Sequence, residues 1–256
     1  GVIPEGMDHN GKPHKVRLYS IASPSSGEDG QGKVLSTTCK RLIDEFSAQT
    51  KRDDPEDAGL FLGVCSNYIS DRKPGDEILV SGPAGKRFVL PVDADGHDYV
   101  FLATGTGIAP YRGMVKDLFE GERACTGQVH LIMGAPYTSD LLYDDFFEQV
   151  DKEYSNFHYH KVISREVPPE GGRYGRGYVH HYLDRSIELH TELLGGDRTL
   201  IYICGLAGMQ TGVFKMLAER GLGSQYLKIK GDLIGTDPAE WEDKDIRRWV
   251  RPTHRC

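Results

Sequence analysis

Tyr99-Val-Phe-Leu-Ala-Thr-Gly-Thr-Gly-Ile-Ala-Pro-Tyr-Arg-Gly-Met-Val-Lys-Asp-Leu-Phe119 opens with a short apolar run, Tyr99 to Ala103, of the length and composition of a buried parallel strand. Gly105 and Gly107 break that run, and Pro110 falls where the first turn of a helix accepts a residue without an amide hydrogen. Met114, Leu118 and Phe119 then keep helical spacing. A strand, a glycine turn and a helix start in succession gather backbone amides where glycine lets a phosphate come close. The pattern departs from the dinucleotide fingerprint, because Pro110 stands where its third glycine would be. Taken alone, these residues also describe an ordinary tight turn between a strand and a helix.

The flanking sequence decides between the two. Downstream, Gly127 to Gly134, Asn156 to Ser164 and Thr199 to Gly205 read as further strands, separated by helical patterns over Leu141 to Tyr154, Tyr178 to Leu194 and Ala207 to Gly221. Strands alternating with helices predict a parallel sheet, whose ligands gather at the carboxyl ends of the strands. Gly105, Ser164 and Cys204 all fall at such ends. Ser164-Arg165 is followed by Arg173-Tyr-Gly-Arg-Gly-Tyr178, guanidinium groups and aromatic rings that suit a phosphate beside a purine. A solvated basic loop is the plainer account of the same residues. Cys204, after an apolar strand, suits a buried core thiol equally well.

Upstream, Lys15 to Ser23 and Val34 to Ile43 read as strands, as do the short runs at Leu60 to Leu62, Ile78 to Val80 and Phe88 to Pro91. Alternation places Arg17, Tyr19, Ile21 and Ser23 on one face, a cation beside an aromatic ring. That pairing suits an anionic cofactor with a flat ring system, or a half-exposed strand with no ligand. Gly63-Val-Cys-Ser-Asn-Tyr-Ile69 reads as a glycine-led loop opening a helix, with Ser66 as its N-cap. Short strands punctuated by Gly and Pro predict a small antiparallel barrel over residues 1–93, then a polar joint and an α/β domain over residues 99–256.

Bulk properties narrow the function classes. The chain has 256 residues and a net charge of −7, which speaks against nucleic acid as a partner. No apolar run is long enough for a transmembrane helix. Five cysteines, at positions 39, 65, 125, 204 and 256, include no Cys-x-x-Cys, which argues against a disulfide framework, a zinc site or an iron–sulfur cluster. The expected compartment is a reducing one, the cytoplasm. The ten histidines show no ligand spacing, so surface or helix-face positions and no metal are expected.

Arg17-Leu-Tyr-Ser-Ile-Ala-Ser23, Gly63-Val-Cys-Ser-Asn-Tyr68, Gly82-Pro-Ala-Gly-Lys86, Gly105-Thr-Gly-Ile-Ala-Pro110 and Cys204-Gly-Leu206 occur in this order over nearly the whole chain. Together they resemble the plant-type ferredoxin–NADP⁺ reductase family. The resemblance implies an antiparallel FAD-binding β-barrel followed by an NADP-binding parallel α/β domain. It implies that Arg17 pairs with the FAD pyrophosphate, that Tyr19 stacks on the isoalloxazine, and that Ser20 hydrogen-bonds near flavin N5. Gly63, Val64, Cys65 and Ser66 would contact the pyrophosphate, and Lys40 the NADP phosphates. Gly105, Thr106, Gly107, Pro110, Gly205 and Leu206 would bind the cofactors, and Cys204 would lie near the nicotinamide and shape its approach to flavin N5. Ser164, Arg165 and Arg176 would hold the 2′-phosphate and Tyr178 the adenine, with Arg173 a rival to Arg176. Where the family commonly stacks a tyrosine on the FAD adenine this sequence has Asp44, with Phe46 as a possible substitute. The resemblance also implies further barrel strands before Gly1 and a terminal tyrosine after Cys256, so a chain lacking both ends is expected.

The function implied is FAD-dependent electron transfer between NADP(H) and a one-electron carrier such as ferredoxin or flavodoxin. The alternatives are the reductase component of a multicomponent oxygenase, and a non-catalytic nucleotide-binding domain.

Overall fold

The computed structural model describes residues 1–45, 60–85, 88–121, 124–171 and 173–256. In the first part of the chain, β1 (Ile43–Glu45) pairs antiparallel with β2 (Leu60–Leu62), and α1 (Val64–Ser70) follows directly. The longer strands expected over residues 15–23 and 34–43 are not continuous ladders. Among the described residues these segments meet as isolated antiparallel bridges, Val2 with Arg17 and with Val80, and Ile21 with Thr37. A strand gains from pairing when its apolar face is covered, and here Leu18, Leu35, Leu79 and Val80 stay exposed. The expected barrel is therefore not seen as a closed sheet. Ser66 is not the N-cap of α1 either. Gly63 occupies that position, and the Ser66 hydroxyl instead accepts the Leu42 amide at 3.1 Å.

The second part is the parallel sheet that the apolar runs predict. Its elements run β3 (Asp98–Thr104), α2 (Ala109–Phe119), β4 (Val129–Ala135), α3 (Asp144–Glu153), β5 (Phe157–Ile163), β6 (Tyr174–Arg176), α4 (Val179–Arg185), α5 (Ile187–Gly195), β7 (Thr199–Cys204) and α6 (Ala207–Glu219). The single helix expected over 178–194 is broken at Ser186, whose hydroxyl turns back onto the Tyr182 carbonyl at 2.7 Å. Beyond α6 come α7 (Gly223–Tyr226), β8 (Leu227–Ile229), α8 (Asp243–Trp249) and β9 (Val250–Pro252), with β8 and β9 paired antiparallel.

The strand order is β6-β5-β4-β3-β7, parallel throughout. Alternate residues of β3 enter two different cores. Val100 and Leu102 pack with α4, α5 and α6 on one face, while Tyr99, Phe101 and Ala103 pack with α2 and α3 on the other. Both faces being covered explains why β3 reads as an unbroken apolar run. The chain winds outward from β3 to β6, then returns to lay β7 on the opposite side of β3. At such a reversal, outside the carboxyl ends of β3 and β7, open α/β sheets form the crevice that takes ligands.

Candidate functional site

At the crevice, β3 leads through a tight turn at Gly105–Ile108 into α2, with Pro110 in its first turn. Gly105 has φ +54°, and a side chain there would meet open space. Gly107 is buried for a different reason. A Cβ on it would collide with the Cys204 carbonyl, so this glycine lets the ends of β3 and β7 touch. Thr104 ties the same junction, its hydroxyl accepting the Leu206 amide at 3.1 Å. Leu206 itself caps α6 and is 74% exposed, beside the exposed Gly205.

Ser20, from the first part of the chain, comes beside the Cys204 thiol at this junction. Burial pushes that thiol up, and the Ser20 contact only partly offsets the rise, so Cys204 presents a neutral S–H. Next along the chain, Tyr19 is half-buried, and burial followed by the neighbouring Cys65 and Cys39 thiols drives its phenol well above the usual range. Arg17 is exposed, its guanidinium donating to the carbonyls of Lys15 at 3.2 Å and Val16 at 3.4 Å. The cation that grips α1 is Arg41, bonded to Asn67 at 3.0 Å and Asp71 at 2.6 Å. Lys40 is exposed, and Phe46 lies outside the described residues.

At the other end of the sheet edge, Ser164 follows β5, its hydroxyl donating to the Ala135 carbonyl at 3.3 Å, and Arg165 is exposed beside it. Arg173 and Arg176 have separate fates. Arg173 pairs with Asp151 on α3, whereas Arg176 is exposed and its carbonyl accepts from Arg185. Beneath them the buried Lys161 ammonium holds Asp144 at 3.0 Å, Glu148, and the Tyr174 hydroxyl at 3.3 Å. Burial alone would lower that lysine, but the two carboxylates outweigh it and its pKa rises. This charged anchor fixes β6 and so aims the loop that follows. Tyr178 caps α4 and is 62% exposed, its ring parallel to His180.

Several residues that hold the site together escape the reading of the sequence. On α2, Arg112 pairs with Glu28 and donates to the Ala22 carbonyl at 3.0 Å, while Asp117 accepts the Ser25 amide at 2.9 Å. A Cβ on Gly113 would strike the Ser23 carbonyl. Tyr143, at φ +58°, meets the Thr38 hydroxyl at 2.6 Å, and Phe88 packs edge-on against Tyr202 of β7. An isolated glycine inside a helical pattern was the available signal, for it marks a close approach. Three histidines also defy the expected surface placement: His130, His160 and His190 are buried.

Residues 101–215 match the oxidoreductase NAD-binding domain family. The chain is 41% identical over 239 residues to the chloroplastic leaf isozyme 1 ferredoxin–NADP reductase of Arabidopsis thaliana, covering 91% of this chain and 63% of that one. It is 39% identical to the ferredoxin–NADP reductase of Synechocystis, over 91% of this chain and 55% of the relative. It thus spans less than two thirds of the length of these curated relatives. Among solved structures, a Plasmodium falciparum ferredoxin–NADP⁺ reductase with 2′P-AMP superposes with a TM-score of 0.66 at 27% identity, over 88% of this chain and 78% of the other.

Proposed function

Because this chain belongs to the plant-type ferredoxin–NADP⁺ reductase family, we propose that it serves electron transfer between NADP(H) and a one-electron carrier, ferredoxin or flavodoxin. The observation that carries the reading is the meeting of Ser20 and Cys204 at the sheet's switch point, one from each part of the chain. FAD, when bound, supplies the conversion between a two-electron hydride and single electrons.

The residues present fit both cofactors. Gly105 opens onto empty space at the start of α2, and Thr106, Gly205 and Leu206 border it, so this side receives the nicotinamide nucleotide. Gly107 and Pro110 set the turn's shape from behind. Ser164, Arg165 and Arg176 receive the 2′-phosphate and Tyr178 the adenine, a reading supported by the 2′P-AMP of the Plasmodium structure. Lys40 is exposed and free to reach toward the phosphates. On the flavin side Arg17 offers an exposed fork for the pyrophosphate, joined by Gly63, Val64, Cys65 and Ser66 at the start of α1. Tyr19 offers its ring, and Ser20 a hydroxyl beside the Cys204 thiol. Cys204 stays protonated, so it excludes water and shapes the approach of the two rings without acting as a nucleophile.

The proposal extends to the architecture: residues 1–93 as an FAD-binding barrel and residues 99–256 as an NADP-binding domain. The antiparallel sense of every bridge in the first part supports it. A cytoplasmic location is supported only by five free thiols, while the Arabidopsis relative is chloroplastic; no helix among the described residues is long and apolar enough to cross a membrane. Flavin absorbance in the purified chain, followed by NADPH-driven reduction of a dye, tests the activity. A chain that takes up neither FAD nor NADPH would sink it.

A further inference from the structure

The geometry points to a transition-metal site formed by His130, His160 and His190, taking Zn²⁺ or a neighbouring first-row cation. It lies on the sheet face covered by α5, away from the strand ends that form the crevice. In the β4–β5 register His130 stands opposite His158 and Ile132 opposite His160, so His130 and His160 are diagonal neighbours on one face. α5 lays His190 over them, with ring centroids 5.1 Å from His130 and 5.6 Å from His160. One nitrogen from each ring falls within 4.8 Å of the others.

Hydrogen bonds assign those nitrogens. His190 Nδ1 lies 2.9 Å from the Ser186 carbonyl, which can only accept, so Nδ1 carries the proton and Nε2 is a bare lone pair. That Nε2 is buried without a hydrogen-bond partner, in a residue of 0% exposure. His160 Nδ1 meets the Tyr182 hydroxyl at 2.9 Å, leaving Nε2 to point at His130 Nδ1, 3.3 Å away. Two nitrogens on one tetrahedral ion at about 2.0–2.1 Å stand roughly 3.3 Å apart. A direct N–H···N bond would also account for the His130–His160 pair, but it leaves His190 Nε2 unpaired. A metal ion satisfies all three.

The outer contacts are those of a ligand set: a hydroxyl on one imidazole and a backbone carbonyl on another fix ring orientation and tautomer. All donors are neutral imidazoles, which suits zinc, copper or nickel and not the oxygen-seeking Mg²⁺ or Ca²⁺. Burial, then mutual repulsion among the rings, keeps His130 and His160 uncharged, so their lone pairs are available. The cation in electrostatic reach, Arg173, is paired with Asp151.

The test is a Co²⁺ titration of the chelator-stripped 256-residue chain. The expected result is one equivalent bound with the ligand-field bands of a four-coordinate site, displaced by Zn²⁺ and raising Tm. Tyr182→Phe should weaken binding about 10–100-fold, and His190→Leu more than that. His181→Ala, on the exposed side of α4, should change neither. X-ray absorption of the zinc-loaded wild-type chain should count three imidazoles, a readout that needs no variant to fold. Wild-type chain that takes up no Co²⁺, bands that survive His190→Leu, or fewer than three imidazoles would each overturn the proposal.

Discussion

Asp151 holds Arg173, which leaves the exposed Arg176, with Arg165, as the arginines proposed for the 2′-phosphate. A charge-assisted contact contributes roughly 1.5–3 kcal/mol, so Arg165→Ala and Arg176→Ala should each weaken NADPH about tenfold or more in steady-state kinetics and leave NADH nearly unchanged. Equal losses for both coenzymes would refute the assignment. Arg173→Ala should shift Tm with little effect on coenzyme choice. Ser20→Ala tests the other end of the site: under the proposed alignment role of its hydroxyl it should retain FAD yet slow flavin reduction by NADPH in stopped-flow traces. Loss of flavin with full activity in the remaining holoenzyme would reverse that role. Ser20 and Cys204 could be proposed from the sequence because each sits in a motif of several residues. The histidine cluster could not, since its members lie 30 residues apart and only sheet register and a covering helix bring them together.

Among elements, α2 carries the most meaning per residue. Its first turn lies at the carboxyl end of β3, its apolar side fills one core, and its polar side grips residues 22–28. Its strand neighbours were easy to read, for strands buried on both faces are continuous apolar runs. β6, α8 and β9 were not, because three to seven residues with mixed polarity carry no period worth trusting. The strands expected over residues 15–23 and 34–43 are harder for another reason: alternation is present in the sequence, but among the described residues these segments meet at isolated bridges. Two glycines separate packing from ligand contact. Gly107→Ala drives a methyl into the Cys204 carbonyl, and Gly113→Ala drives one into the Ser23 carbonyl. Overpacking of this kind costs about 1–3 kcal/mol. Thermal melts should show both losses, while hydrogen exchange over residues 20–28 should rise in Gly113→Ala and not in Gly107→Ala. Unchanged melting in either variant would mean the backbone there yields.

For the whole molecule, the question is what keeps Ser20 against Cys204, since neither part of the chain holds both. The contacts are polar and concentrated on α2: Arg112 with Glu28, and Asp117 with Ser25. The Arg112 guanidinium and then the Ser36 hydroxyl hold the Glu28 carboxyl down at about 2, against an ordinary 4.5. A carboxylate whose folded pKa is depressed contributes its attraction in full above the unfolded value and loses it as pH falls through the folded one. Docking through Glu28 should therefore persist below pH 4.5 and fail only as pH approaches 2. Glu28→Gln removes the charge at every pH. It should speed exchange over residues 20–28 about tenfold at neutral pH, the equivalent of roughly 1.4 kcal/mol, and abolish the acid dependence of that region. The sheet, whose cores lie on the far side of these contacts, should keep its own protection. If exchange over residues 20–28 in Glu28→Gln still rises with acid as in wild type, another carboxylate governs docking, and Asp117 is the one to replace next.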